Sequence, residues 1–445
     1  MLLIIWPPNS NYSGCKTLIY RNLESYIHIY YETGLGWSIV SLSMSSGSYS
    51  SENSDFPESH PEPLRSREAA HDPFGWYDRK RQASPIHYDG DRGVYDVFSY
   101  EHVKAALQDD ERLVRKKLSR PRMSVPNPFS YIDNAIVWSD GSGHSRMKHQ
   151  LFEYFRPDIL RDLEHTISDI ARSQLDIALE DGPAFDFVAD FAVPVPLRVV
   201  MQLVGIPQSD HQQLLSWLET FRKVMNKEYS AAESENPAAM DATVEYFEQL
   251  VDARKTDPRD DLVSRLVAES ELSDEEIGAN CFDFIMAGQG TISEFLSNAL
   301  YLFDRHGLFE QPSEYEMEVV LEEVLRYRSP LQSRVRETTD PVTLHETEIP
   351  EGETVVLWLG AANRDPQKYE DPETFTPGRD PDHLAFGSGA HVCIGAPLAR
   401  LEGPILMRTV VDRFDDIEID HDELKPKPKA SKLGFERLPV SVTPA

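Results

Sequence analysis

The stretch Phe386–Gly395, which reads FGSGAHVCIG, decides which fold this chain is expected to adopt. It places Cys393 in a glycine-rich loop, seven residues after Phe386 and two after His391, and an apolar helical pattern begins directly behind it. A thiolate stays ionised in an apolar site only beside a helix N-terminus, backbone N–H groups or a bound cation, and glycines let the backbone approach a ligand closely. The stretch therefore indicates a thiolate that binds a large metal cofactor. The alternative is a buried structural cysteine, the usual fate of a lone cysteine.

This loop closely resembles the haem-ligand loop of the cytochromes P-450, the haem-thiolate monooxygenases. The resemblance implies a mainly α fold with a small β region, built as a single large haem domain over residues 72–445 and similar to the soluble prokaryotic type. It also implies that Cys393 is the metal ligand of haem b (iron protoporphyrin IX). The other loop residues that the resemblance places against the cofactor are His391, Phe386, Gly387, Gly389 and Gly395.

The composition is strongly acidic, with 44 basic and 75 acidic residues among 445 and a formal charge of -31. Such acidity argues against nucleic acid and anionic membrane surfaces as partners, because both would repel the chain. Lysine is scarce, and about 1 M salt shortens the screening length to ~3 Å. The composition therefore indicates a salt-rich cytoplasm, as in a halophilic archaeon. The alternative is an ordinary acidic cytosolic protein.

The cysteines predict the compartment. Cys15, Cys281 and Cys393 show no paired spacing, which predicts a reducing, cytoplasmic location without disulfides. The sequence contains no run of ~18 apolar residues, so no spanning helix is predicted.

The N-terminal part differs in composition from the rest. Residues 1–43 hold two basic and two acidic residues, so the whole charge of -31 lies on residues 44–445. Our hypothesis is that Met44 is the true start and that residues 1–43 are a mis-assigned N-terminal extension. The alternative is a segment that contacts a membrane surface, although it lacks a basic amphipathic face. Residues 44–71 are polar and are expected to be disordered, with order beginning near Asp72.

Apolar periodicity and turn residues predict the regular elements. A strand, a turn and a strand are expected over residues 85–98, followed by a helix over Tyr100–Gln108. Ser273, with a glutamate three residues later, forms a capping-box pattern, and the helix behind it should run to about Arg305. The remaining predictions are a helix over about Glu314–Arg328, strands over Val342–Leu344 and Thr354–Leu359, and a helix from Ala396 to about Phe414 that Pro404 should kink.

A charge network is implied around Glu323 and Arg326. The two residues share a helix face, but by themselves such pairs are usually solvated surface charges. In the family the same pair lies buried and joins an arginine from a later loop, a position that Arg379 supplies here. The resemblance thus implies a structural network that supports folding and haem retention.

Cations for the haem propionates are also implied by the resemblance, because buried carboxylates need charged hydrogen-bond donors. The candidates are His144, Lys148, Arg336 and His391. The family usually has arginine where Lys148 stands, and lysine gives no bidentate fork. The residues Asp140-Gly141-Ser142-Gly143 replace the usual Asp-Pro-Pro, so the entry to this helix should be less rigid.

The oxygen site of the family matches one stretch of the long helix. Ala287-Gly288-Gln289-Gly290-Thr291 keeps the alanine, the first glycine and the threonine, but Gly290 replaces the acid that normally precedes the threonine. Each glycine costs the helix about 1 kcal/mol relative to alanine, which suggests that the glycines are there for another purpose. We expect that these small residues leave room for dioxygen. Thr291 would steer proton delivery, with protons arriving through water, Gln289 or the substrate. Alternatively, its hydroxyl merely back-bonds to the helix.

The implied function is a monooxygenase that inserts one atom of O2 into a hydrophobic small-molecule substrate. Electrons would come from a separate ferredoxin-type donor with its reductase, because the chain shows no flavin or iron–sulfur domain. Two alternatives remain open: a peroxide-driven or isomerising relative, which the missing acid favours, and a non-enzymatic haem-binding or electron-transfer protein. The substrate pocket is expected to draw on residues 117–138, Met286, Ala287, Leu331–Ser333 and Leu433–Phe435.

Overall fold

The computed structural model describes residues 18–23, 26–33, 36–43, 60–115, 131–225, 237–309 and 315–444. From residue 60 onward the described chain is mainly helical, which confirms the predicted fold class. In chain order the α-helices are α1 (Arg67–His71), α2 (Phe74–Ala83), α3 (Tyr100–Gln108), α4 (Gly141–Phe152), α5 (Pro157–Leu160), α6 (Glu164–Ala178), α7 (Pro194–Val204), α8 (His211–Met225), α9 (Pro237–Thr256), α10 (Leu262–Glu269), α11 (Asp274–Arg305), α12 (Met317–Tyr327), α13 (Leu359–Ala362) and α14 (Ala396–Arg413).

The strands form small sheets beside the helices. They are β1 (Leu18–Leu23), β2 (Tyr26–Thr33), β3 (Gly36–Ser43), β4 (Ile86–Asp89), β5 (Val94–Val97), β6 (Leu113–Arg115), β7 (Ala184–Asp186), β8 (Arg334–Thr338), β9 (Val342–Leu344), β10 (Thr347–Ile349), β11 (Thr354–Leu357), β12 (Phe414–Ile419), β13 (Lys425–Pro426), β14 (Phe435–Arg437) and β15 (Pro439–Pro444). The largest sheet has the order β4-β5-β11-β8-β6, in which only β5 and β11 run parallel. This sheet carries arginines that reach the site described below.

Helix α11 is the central element of the fold. Its N-terminus has the predicted capping box: Ser273 Oγ accepts from the Glu276 N–H at 3.2 Å, and Glu276 Oε2 accepts from the Ser273 N–H at 2.9 Å. The helix continues for 32 residues, or roughly 48 Å at ~1.5 Å per residue. Most of its length is buried, as expected for a helix that passes through the core.

Most predicted elements are present, with small corrections at their ends. The strand–turn–strand unit forms β4 and β5, and the helix over Tyr100–Gln108 is α3. The strand predicted over Thr354–Leu359 ends at Leu357, because the next residues turn into α13. Helix α14 continues through Pro404 without interruption. Residue 314, the predicted start of the helix before Pro330, lies outside the described residues.

Order begins earlier than the sequence suggested. Residues 60–71 were expected to be disordered, yet they form a short 3-10 turn over Glu62–Leu64 and then α1. Leu64 and Ala70 are buried, so apolar anchors spaced within a polar stretch hold this segment on the domain. Residues 44–59 lie outside the described part of the chain, and the hypothesis about Met44 stays a prediction.

Within the described residues, every helix is too short or too polar to cross a lipid bilayer. The largest apolar core surrounds α11 and packs it against α7, α9 and α14. A second core lies under the five-stranded sheet. These cores fix α11 on one side and the segment before α14 on the other, and the candidate site lies between them.

Candidate cofactor and oxygen site

The loop around Cys393 is held by its own backbone. The Cys393 N–H donates to the Phe386 carbonyl at 2.9 Å. Gly387 and Gly389 adopt φ values of 78° and 73°, a left-handed conformation that side chains disfavour. A Cβ on Gly389 would also stand 2.7 Å from the Leu107 carbonyl oxygen in α3. The two glycines therefore fix the path of the loop.

The Cys393 sulfur lies at the N-terminus of α14. Enclosure by protein raises the pKa of the thiol, while the backbone N–H groups of Gly395 and Ala396 and the charges of Arg334 and Lys148 oppose that rise. The cysteine side chain is nevertheless accessible. The sulfur is thus accessible, yet protein surrounds it on most sides, so it lines an internal space. This position suits a thiolate that ligates a buried metal.

A stripe of accessible residues interrupts the buried middle of α11. Gly288 and Gln289 within this stretch are half-buried as well, but five accessible members recur at intervals of three and four residues and so share one helix face. They are Asp283, Met286, Ala287, Gly290 and Thr291, of which Ala287 is the most exposed. Because the helix is buried before and after this stripe, the stripe faces a space inside the protein.

Arg115 connects the stripe to the cysteine loop. The charge of Asp283 on α11 acts on Arg115, and the charge of Arg115 acts on Arg334. Arg334 in turn lies close enough to Cys393 for their charges to interact. The side chains of Asp283, Arg115 and Arg334 therefore lie near one another, between α11 and the cysteine loop.

Three arginines concentrate positive charge at this space. The register of β6 and β8 sets Arg115 directly opposite Arg336, although like charges in opposed positions destabilise a sheet. Burial, together with the charge of Arg115, lowers the pKa of Arg334 and of Arg336 to about 10. Such an arrangement fits a ligand that carries carboxylates, and haem b brings two propionates to a thiolate. The residues present therefore fit the cofactor.

The structure places the expected propionate cations His144, Lys148 and His391 near one another, and their contacts differ. His391 Nε2 lies 2.9 Å from Asp140 Oδ1, and its ring centroid lies 4.1 Å from that of His144. Burial, with the charge of His391 next, lowers the pKa of His144 to about 4. A propionate beside the ring would oppose that shift, so the expected role of His144 stays a prediction. Lys148 Nζ donates to the Ala390 carbonyl at 2.5 Å and so fastens the cysteine loop to α4.

The structure brings Glu323, Arg326 and Arg379 together. Arg326 donates Nε to Glu323 Oε2 at 2.7 Å and Nη2 to Glu323 Oε1 at 2.8 Å, and both side chains are fully buried. Arg379 Nε and the Thr376 N–H donate to the same carboxylate at 3.2 and 2.9 Å. The Glu323 carboxylate thus has a bidentate arginine and two further donors, the geometry that a buried charge requires.

The remaining donors of Arg326 hold the segment that leads to the cysteine loop. They reach the carbonyls of Asn363, Pro372 and Thr374 at 2.9, 2.9 and 3.1 Å. Asn363 Oδ1 accepts from the Leu384 N–H at 2.7 Å, at the entrance to the loop. The network therefore ties α12 to the backbone on which Cys393 depends.

The small residues of the expected oxygen site make room for other side chains as well as for a ligand. A Cβ on Gly288 would stand 2.9 Å from Val200 Cγ2 on α7, so this glycine permits close helix packing. Thr291 Oγ1 donates to the Ala287 carbonyl at 3.0 Å. That back-bond was one of two interpretations of Thr291, and it leaves the lone pairs of the hydroxyl free for a role at the site. Gln289 is half-buried.

Comparison with known proteins decides the family. A family model described as cytochrome P450 matches residues 198–307 and 316–444. "Putative cytochrome P450 123" of Mycobacterium tuberculosis is 32% identical over 385 residues, covering 83% of this chain and 94% of that protein. Cytochrome P450 119 of Sulfolobus acidocaldarius is 31% identical and covers 82% and 98%. The crystal structure of substrate-free CYP109E1 from Bacillus megaterium aligns with a TM-score of 0.77, 30% identity and coverage of 84% and 100%.

The chain belongs to the cytochrome P450 family. It is accordingly an oxidoreductase of the monooxygenase class, and its cofactor is haem b. The alternative of a non-enzymatic haem protein is thereby set aside. The resemblance of the cysteine loop pointed to the correct family and fold.

Sequence reasoning missed two of the arginines at the P450 site. Arg334 stands two residues before Arg336 on β8, and alternate residues of a strand share a face. That spacing could have identified Arg334 as a partner of Arg336. Arg115 lies in the charged run 111–117, which looks like ordinary surface, and only the pairing of β6 with β8 reveals its position.

Three carboxyl groups within the P450 core were also missed. Burial raises the pKa of Asp283 to about 7 and that of Glu402 to about 8. Both oxygens of Glu402 and one oxygen of the fully buried Glu294 have no hydrogen-bond partner among the described residues. Acids at such positions carry no sequence signal, because helical glutamates are usually exposed.

The expected substrate pocket is correct only in part. Met286, Leu331 and Ser333 are partly accessible and Ala287 is exposed, whereas Leu433 and Phe435 are fully buried. Phe435 packs against the rings of His71 and Tyr301 instead. Residues 117–130, which were expected to close the pocket, lie outside the described part of the chain.

Replacing Arg326 with methionine should destabilise the fold by about 3–5 kcal/mol, because Glu323 would remain buried without its bidentate partner. Chemical denaturation would measure this change, and dialysis would measure haem retention, which should fall. Arg408→Met is the matched control. It breaks an ion pair with Glu318 in which both side chains are about half exposed, and it should cost less than about 1 kcal/mol. Equal effects of the two substitutions would contradict a supporting role for the network.

Cys393→Ser should abolish the absorption band that the reduced, CO-bound protein owes to its thiolate ligand. Cys281→Ser is the control, because that cysteine is buried within α11 and should leave the band in place. Spectra of both purified variants decide the matter. A surviving band in Cys393→Ser would show that another residue ligates the haem.

Proposed function

We propose that this P450 inserts one oxygen atom of O2 into a hydrophobic small molecule bound beside α11. The observation that supports this proposal is the exposed Ala287 in a helix that is buried on both sides of it, over residues 277–282 and 292–300. We propose that its methyl group faces the same internal space as the thiol of Cys393. A substrate held there would be surrounded by apolar side chains such as Met286 and Leu331, so burial of apolar substrate area would drive its binding.

The residues of the chain supply binding, orientation and protons. When bound, haem ligated by a thiolate supplies the activation of dioxygen, since the thiolate donates electron density that favours O–O cleavage. Arg115, Arg334 and Arg336 would neutralise the propionates of the cofactor. The small Ala287 leaves room for oxygen and substrate, and Thr291 presents a hydroxyl whose lone pairs accept a proton donor.

Electrons are proposed to come from a separate donor of the ferredoxin type with its reductase. The described residues from 60 to 444, with their gaps, form one P450 domain and contain no flavin or iron–sulfur domain. The chain also spans 90% or more of the curated P450 relatives named above, so it matches them as whole proteins. Two electrons per turnover must therefore arrive from outside this domain.

The relatives suggest which hydrophobic molecules to try first. CYP109E1 of Bacillus megaterium, 30% identical, has been crystallised with testosterone and with corticosterone. P450BioI, 28% identical, has been crystallised with an acyl carrier protein that bears hexadec-9Z-enoic acid. We propose steroids and fatty acyl groups as candidate substrate classes, because the accessible stripe offers apolar contacts of the kind both classes need.

A second candidate function is a peroxide-driven or isomerising reaction. The specific observation behind it is Gly290, which stands where the family carries an acid for proton supply. An enzyme that takes peroxide, or that only rearranges its substrate, has no need of protons delivered to O2.

The two candidates predict different oxidants. We expect testosterone or a C16 fatty acid to be hydroxylated when NAD(P)H, a ferredoxin and its reductase are supplied, with the new oxygen atom derived from isotopically labelled O2. Mass spectrometry of the product gives the source of the atom. Cys393→Ser should form no product under the same conditions. Turnover with hydrogen peroxide alone, and none with the electron donor, would favour the second candidate.

We further propose that the protein works in the cytoplasm of a salt-rich cell, because its charge of -31 must be screened. The melting temperature should then rise by several degrees when KCl increases from about 0.1 M to about 3 M, since screening weakens the self-repulsion of the folded chain. Thermal unfolding followed by circular dichroism measures the shift. Sucrose at matched viscosity is the control, and an unchanged or lower melting temperature in salt would contradict the proposal.

A further inference from the structure

The space left by the missing acid is taken by a lysine from a distant part of the chain. A Cβ on Gly290 would stand 3.5 Å from Lys432 Nζ, an ordinary contact distance. The ammonium group of Lys432 therefore lies beside the point where the side chain of the absent acid would begin. The lysine side chain is 35% exposed, so it also reaches solvent.

Lys432 is held there by a buried carboxylate of the same helix. Glu294 lies one turn after Gly290 on α11 and is fully buried. Its Oε1 lies 3.4 Å from Lys432 Nζ and 2.9 Å from Lys427 Nζ. Its Oε2 has no partner among the described residues. A buried oxygen of this kind is a site for an ordered water that would extend the contact toward the interior.

The backbone that carries Lys432 is pinned against α11. The Leu433 N–H donates to the Pro330 carbonyl at 2.8 Å, and the Leu433 carbonyl accepts from Asn298 Nδ2 at 3.0 Å. A Cβ on Gly434 would stand 2.9 Å from Glu294 Cγ, so the chain passes directly over this glutamate. The position of the lysine is thus set by the fold rather than by a mobile loop.

The hydroxyl oxygen of Thr291 can accept a hydrogen bond from a proton donor. Its hydroxyl proton is committed to the Ala287 carbonyl, so the oxygen can only accept from other groups. Gly290, its chain neighbour, offers no side chain. Lys432 Nζ is the atom that a Cβ at Gly290 would meet, so the fold brings the Lys432 ammonium, a proton-bearing group, to the position of the missing acid.

We propose that Lys432, oriented by Glu294, supplies protons to the oxygen site in place of the acid that Gly290 replaces. The inference rests on the proposed monooxygenase function. Insertion of one atom of O2 consumes two electrons, which the redox partner provides, and two protons, which leave the other atom as water. In each delivery the Lys432 ammonium gives a proton to water beside Thr291, becomes a neutral amine, and takes a proton from solvent through its exposed side. The charge of the lysine is restored after each transfer.

Lys432→Met should lower donor-driven turnover at least about 10-fold, the lower end of what a positioned proton donor contributes. The solvent deuterium isotope effect on kcat should rise, because proton delivery becomes rate-limiting, while the dissociation constant of the substrate stays unchanged. Lys432→Arg separates charge from proton supply. It keeps the cation beside Glu294, but a guanidinium does not release its proton, so this variant should be as slow as Lys432→Met.

Restoring the family's acid should rescue the enzyme. Gly290→Asp in the Lys432→Met background places a carboxyl at a position where the Cβ has room, and turnover should recover. Lys425→Met, an exposed lysine of β13, is the matched control and should behave as wild type. Wild-type rates in Lys432→Arg with slow rates in Lys432→Met would show that only the charge matters. A loss of substrate affinity with unchanged isotope effect would instead make Lys432 a substrate anchor, and either result would overturn the proposal.

A second measurement needs no turnover. Lysines labelled by reductive methylation with 13C give separate NMR signals, and the signal lost in Lys432→Arg belongs to Lys432. Its chemical shift should differ from those of the exposed lysines in the wild type and move toward them in Glu294→Gln. A signal that coincides with those of exposed lysines and ignores Glu294→Gln would overturn the proposal, whether or not the wild type turns over. Absence of product from wild type with the donor system would count against the proposed function, separately from this result.

Discussion

The buried carboxylate of Glu323 is the constraint on which the cofactor loop depends. A charge removed from water costs several kcal/mol unless it is fully paired, and Arg326 pairs it with two short hydrogen bonds. The arginine is then itself buried, and its spare donors must find acceptors. They find three backbone carbonyls between α13 and the cysteine loop. One ion pair therefore shapes a stretch of irregular backbone, together with the buried side chains of Tyr369, Phe375 and Leu384 within it.

Two electrostatic features of the site are unfavourable unless the cofactor is bound. Arg115 faces Arg336 across two strands, and the enclosed Cys393 thiol has a raised pKa, so both arrangements are unfavourable in the protein alone. A metal in place of the thiol proton and carboxylates beside the arginines would relieve both at once. Without haem, the site thus contributes an unfavourable electrostatic free energy to the folded state. Binding of haem should offset it and stabilise the fold by mass action.

Features that depend on neighbouring residues were predictable from the sequence, whereas those that depend on contacts between distant segments were not. The capping box at Ser273, α3 and the loop around Cys393 were predictable, because caps, periodicity and glycine spacing are local signals. The role of Arg115 was not, because it follows from the pairing of β6 with β8. Disorder up to residue 71 was predicted from polar composition, yet residues 60–71 carry buried side chains, Leu64 and Ala70 among them. The contact between the rings of His144 and His391 was likewise not predictable, because it joins α4 to the distant cysteine loop.

A glycine in the central helix α11 indicates free space beside the helix, but the sequence does not show which side chain or ligand occupies that space. A Cβ on Gly278 would stand 2.0 Å from the Tyr131 hydroxyl, and one on Gly288 would stand 2.9 Å from Val200. Gly290 faces Lys432. Each glycine costs the helix about 1 kcal/mol relative to alanine, and each admits a side chain from another part of the chain. The chemistry next to Thr291 therefore depends on what the fold delivers to these gaps as well as on the motif of the helix. In our proposal, a lysine that is 142 positions away in the sequence takes the place of the neighbouring acid.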